Sequence, residues 1–219
     1  MKLYEKKQIN WKNILFNNKT LFWLLVPIII EQFLNSLMGM VDTMMVSTVG
    51  SEAISAVSLV DSINNLVIQI FSAMASGATI ICSQYIGSGN KQESNRAAGQ
   101  VVLVMFVISL SITVFCILGG EKLLHLIFGT VEDSVMENSL IYFMIVVISY
   151  PFLALFSAGA AFYRASGNSK FPTKISIASN AINVIGNALF IYVFKWGVMG
   201  AALATLLSSL FSMVIIFYY

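Results

Sequence analysis

Apolar residues occur in long blocks along this chain, and charged residues gather in short clusters between them. The stretches 62–90, 97–120, 138–163, 175–194 and 196–219 carry no Asp, Glu, Lys or Arg. An earlier stretch, 20–49, is broken only by Glu31 and Asp42. A helix needs about 20 mostly apolar residues to cross a bilayer. The pattern therefore predicts helices near 21–46, 56–82, 97–119, 139–162, 175–194 and 198–219. The runs are continuously apolar, without the alternation of a membrane β-barrel. The fold class expected is all-α, a polytopic membrane protein with six transmembrane helices. The first stretch is not a cleaved signal peptide on this reading: it leads into Glu31-Gln32-Phe33 with no small-residue cleavage site.

Composition agrees. Of the 219 residues, 58% are hydrophobic and 10% charged, against about 25% charged in a typical soluble domain. A net charge of +2 excludes a general nucleic-acid binder; the expected surroundings are the lipid bilayer and small molecules. Cys82 and Cys116 lie within apolar runs and form neither a disulfide framework nor a zinc site. Lys2, Lys6, Lys7, Lys12 and Lys19 precede the first helix; Lys91 and Arg96 fall in the second loop, Arg164, Lys170 and Lys174 in the fourth. The alternate loops hold only Lys122 and Lys195. This bias predicts a multi-pass protein of the cytoplasmic membrane, with residues 1–20 a tail on the cytoplasmic side.

Polar residues within the apolar runs carry the functional signal. An Asp near the centre of a membrane helix costs about 2.5–3.5 kcal/mol on insertion scales, so it tends to face protein or water. Glu31, Asn35, Met38 and Asp42 share a face of the first helix within about 60 degrees. Ser176, Asn180, Asn183 and Asn187 repeat that spacing in the fifth, and Asp61, Asn65, Gln69, Ser72 and Ser76 form a stripe on the second. Three such stripes predict a bundle around a hydrated or substrate-accepting cavity. Asn and Ser also serve as hydrogen-bonding glue between helices, and Asp61 near a helix end is inexpensive. Pro27 and Pro151 bend their helices, as flexing points or static kinks. Met38, Met40, Met44 and Met45 beside Asp42 suit either an adaptable cavity or lipid packing. An enzyme is not expected: the one histidine, His125, is placed in an outside loop, no nucleophile–base or metal-ligand motif appears, and no cofactor is implied.

Several segments are similar to the MATE family of multidrug and toxic-compound extrusion transporters. They are Pro27 with Met40-Val41-Asp42-Thr43-Met44-Met45-Val46 and Gly50; Gly77-Ala78-Thr79 with Ser83-Gln84-Tyr85-Ile86-Gly87-Ser88-Gly89-Asn90; Arg164-Ala165-Ser166-Gly167-Asn168-Ser169-Lys170-Phe171-Pro172; and Asn183 to Asn187 followed by Gly200-Ala201-Ala202-Leu203-Ala204-Thr205. The resemblance implies twelve helices in two lobes, of which this chain looks like the amino-terminal one. It also implies export of cationic, amphiphilic compounds in exchange for inward H+ or Na+. The family's cation site maps onto Asp42, Asn183, Asn187 and Thr205, a possible Na+ ligand set. Asn187 stands where many members carry aspartate, so one carboxylate is lost, although amide oxygens still coordinate a hard cation.

The chain stops at Tyr219 as its last helix reaches the cytoplasm, with no basic anchor following. The expectation is a half lacking its carboxy-terminal lobe; a natural half-transporter working in pairs is the other reading. Two rival functions remain. A lipid-linked oligosaccharide flippase of related architecture needs cationic cavity residues for phosphates, and no Lys or Arg is expected deep in a helix. A non-transporting membrane subunit is the second.

Overall fold

The computed structural model describes residues 18–129 and 131–219. The helices are α1 (Asn18–Ser47), α2 (Ser51–Gly87), α3 (Lys91–Phe128), α4 (Asp133–Ala165), α5 (Lys170–Asn187) and α6 (Gly197–Tyr218). A π-helical segment, Ala188–Val193, continues α5. Each of the six is long and apolar enough to cross a membrane.

Most of these helices outrun the limits expected from the sequence. α2 and α3 have 37 and 38 residues, or about 55 Å each at 1.5 Å per residue, against a hydrocarbon core of about 30 Å. Uncharged runs mark only the lipid-embedded part, whereas the helices continue through charged ends. His125 accordingly lies in the last turn of α3 rather than in a loop. The chain of basic residues Lys2 to Lys12 lies outside the described residues.

The α2–α3 and α4–α5 connections close in the same way. Gly89 and Gly167 adopt φ of 79° and 81°, a left-handed conformation that glycine takes without a side-chain clash. The Asn90 and Asn168 amides donate back to Tyr85 and Tyr163 carbonyls at 3.0 and 2.9 Å. Both ends are Schellman motifs, so the Ser-Gly-Asn echo between the loops is shared turn geometry. The Asn90 side chain then caps α3 by accepting from the Glu93 amide at 3.2 Å.

α4 is the central helix, packed against α2, α3 and α6, while α1 leans mainly on α5. Small residues let α5 and α6 approach closely, as is usual between membrane helices. A Cβ on Gly186 would meet the Ala204 methyl at 3.0 Å, and one on Gly200 would meet Phe190 Cβ at 2.8 Å. This contact sets the distance between the polar residues of α5 and Thr205.

Candidate cation site and cavity

A cavity of about 360 Å3 opens between α1, α2, α4, α5 and α6. Its wall includes the whole α1 stripe, Glu31, Asn35, Met38 and Asp42, together with Gln69, Asn180, Asn183 and Thr205. The remaining site candidates stand off the wall. Asn187 is buried behind it, Asp61 is half-buried against α4, and Asn65 is exposed on α2.

Asp42 meets the α5 stripe directly. Asn187 donates through Nδ2 to Asp42 Oδ1 at 2.6 Å and to Asn183 Oδ1 at 3.3 Å. Asn183 donates in turn to the Thr205 hydroxyl at 3.3 Å, and that hydroxyl donates to the Ala201 carbonyl at 3.2 Å. Asn187 is 1% exposed, and its Oδ1 receives no hydrogen bond among the described residues. A buried amide oxygen without a donor is a costly arrangement and an available ligand for a hard cation. The residues present thus fit a monovalent cation: a carboxylate, amide oxygens and a hydroxyl.

A second polar centre occupies the other end of the cavity, about 16 Å along α1 at the helical rise. Glu31 accepts from Arg164 Nη2 at 2.9 and 3.0 Å through its two oxygens. It also accepts from Thr173 at 3.3 Å and Ser176 at 3.1 Å. The Thr173 hydroxyl reaches the Pro27 carbonyl too, at 3.4 Å. Arg164 is not deep in a helix, yet from the last turn of α4 it still lines the cavity. Its long stem carries the charge inward from a helix end, which spacing along the sequence does not reveal. Halfway between the two centres, Asn180 donates to Asn35 at 3.2 Å.

A third group lies between α2 and α4. Tyr142 and Asn64 both donate to Asp61 Oδ1, at 3.4 and 3.3 Å, and Tyr150 donates to Asn64 at 2.6 Å. Asn64, Tyr142, Tyr150, Arg164 and Thr173 were not among the residues expected in the site. The available signal was the presence of two tyrosine hydroxyls within an apolar run, since such hydroxyls need a partner when buried.

The family model MatE matches residues 27–189. The chain belongs to the MATE family. It is 32% identical over 184 residues to the uncharacterized transporter YisQ of Bacillus subtilis (strain 168), covering 84% of this chain and 40% of that protein. It is 28% identical to the probable multidrug resistance protein YoeA of the same strain, covering 89% of this chain and 43% of that one. A MOP superfamily transporter from Pyrococcus furiosus Vc1 superposes with a TM-score of 0.86 at 22% identity, over 91% of this chain and 44% of the other. That likeness shows the fold: one six-helix lobe of a MATE-type transporter. This MATE chain spans about two fifths of the length of the curated relatives it matches.

Proposed function

We propose that the chain forms the ion-coupling lobe of an antiporter that exports cationic, amphiphilic compounds across the cytoplasmic membrane in exchange for inward H+ or Na+. The observation that carries this reading is Asp42, a carboxyl on the cavity wall tied at 2.6 Å to Asn187. An ionised Asp42 attracts a cation from outside. Binding removes the charge's need for solvation, and α1 repacks by bending at Pro27, which lies inside the helix. Coupling requires only that the two arrangements of the lobe prefer different occupancy of Asp42. One relative is named as a transporter and another as a probable multidrug resistance protein, which supports transport over enzymatic chemistry.

Arg164 gives the flippase reading a cationic group that the sequence did not promise. Its charge is already met by both oxygens of Glu31, so the pair presents no net charge to a phosphate. This favours a cationic substrate.

The test uses cells expressing the complete gene product and ethidium as a cationic amphiphile. Wild type is expected to lower ethidium accumulation, and a protonophore or Na+ removal to restore it. Asp42→Asn is expected to abolish efflux at normal membrane abundance. Undiminished efflux by that variant would remove Asp42 from the mechanism. If wild type has no effect on accumulation, a non-transporting subunit becomes the better reading.

A further inference from the structure

Among the described residues, Glu31, Asp42 and Asp61 are the carboxyls held in the bundle by side-chain hydrogen bonds from other residues. Glu31 is answered by Arg164. Neither Asp42 nor Asp61 has a Lys, Arg or His partner among the described residues. Two carboxylates without a counter-cation are costly to hold ionised together in one membrane bundle.

Polar groups fill the interval between them. From Asp42 the path runs through Asn187 and Asn183 to Thr205. On the other side the Tyr142 hydroxyl donates to Asp61 at 3.4 Å and stands within electrostatic reach of Thr205. The groups facing Asp61 are Asn64 on its own helix, Tyr142 on α4 and the charge of Asp42 on α1; Tyr150 stands behind Asn64 and senses Cys116 on α3. None supplies a positive charge. The donor-less Oδ1 of Asn187, on a residue 1% exposed, is an independent sign that this network accepts a cation or an acidic proton.

We propose that Asp61 is a second carboxylate of the coupling site, binding a proton or Na+ alongside Asp42, so that each cycle carries two positive charges inward. The acid that α5 lacks at Asn187 is thereby supplied from α2. This rests on the coupling role proposed above for Asp42 and adds a stoichiometry to it.

The test is the response of transport to voltage. The complete gene product is reconstituted in vesicles and ethidium, a monovalent cation, is followed under a pH gradient or a Na+ gradient, with and without a membrane potential of the cell's polarity. The two gradients distinguish H+ from Na+. Two charges exchanged for one leave a net inward charge, so the potential is expected to raise wild-type ethidium transport at least roughly tenfold. In Asp61→Asn the exchange becomes one for one, and the potential's effect is expected to vanish while gradient-driven transport persists. If that variant does not transport, Asn187→Asp added to it is expected to restore both transport and the voltage response, because the second acid returns on the neighbouring helix. A voltage response unchanged in Asp61→Asn overturns the proposal, as does a loss of transport that Asn187→Asp does not rescue. Asp42→Asn reads the parent proposal separately: full exchange in that variant removes Asp42 from coupling whatever Asp61 does.

Discussion

The shortest of the contacts at the candidate cation site, Asn187 to Asp42 at 2.6 Å, links one ionisable group to one that cannot ionise. Replacing that amide by a carboxyl adds a hard oxygen ligand and a negative charge beside Asp42, both of which favour Na+. Asn187→Asp is expected to strengthen the Na+ dependence of ethidium efflux; an unchanged Na+ response would argue that α5 takes no part. The Glu31–Arg164 pair calls for a different experiment, because the Glu31 side chain is 7% exposed. Arg164→Met leaves a buried carboxylate with hydroxyl partners alone, a change that typically costs about 3–5 kcal/mol, whereas removing both charges is far milder. Thermal unfolding of the detergent-purified complete protein should show a large loss for Arg164→Met and recovery in Arg164→Met combined with Glu31→Gln. Equal losses in the single and double variants would mean that the pair contributes no coupling. Glu31 is conspicuous in the sequence because an acid interrupts an apolar run. Arg164 is not, because a basic residue at a helix end looks in the sequence like an ordinary cytoplasmic anchor.

Between helices, the closest approach that matters for the site is that of α5 with α6, where Gly200 lies against Phe190 and Gly186 against Ala204. A side chain at position 200 would meet the Phe190 backbone carbonyl carbon at 3.1 Å as well as its Cβ, and backbone does not swing aside. Gly200→Leu is expected to wedge the helices apart at a cost of about 1–3 kcal/mol, and to weaken the Asn183–Thr205 contact of 3.3 Å. The check is a lowered melting temperature together with reduced Na+- or proton-driven ethidium efflux; an unchanged melting temperature would show that the interface has room. At this level the number and order of helices were readable, because the hydrocarbon core demands long uncharged runs. The ends were not, because a helix continues through charges once it reaches water. The faces were readable only in part. The α1 and α5 stripes turn inward as their spacing implies, but the α2 stripe is split. Gln69, Ser72 and Ser76 line the cavity, while Asp61 turns to Tyr142 on α4.

The arrangement of the six helices leaves one large-scale property to be decided by charge rather than by packing, namely which end faces the cytoplasm. The two Schellman turns lie at the end of the bundle that holds Lys91, Lys170 and Lys174, and the opposite end carries Glu52, Glu132 and Asp133. Basic residues resist translocation and hold their loops inside, so the α2–α3 and α4–α5 turns are expected on the cytoplasmic side. The protein suits a direct test, since its natural cysteines, Cys82 and Cys116, are both buried and give little background to a membrane-impermeant thiol reagent. Asn168 and Glu132 are exposed on opposite ends. Glu132→Cys is expected to label in intact cells, and Asn168→Cys only after the membrane is opened. The reverse pattern would place the Glu31–Arg164 pair toward the outside. The inward path of the coupling ion would then meet that pair before reaching Asp42, and the direction of exchange proposed for this lobe would have to be inverted.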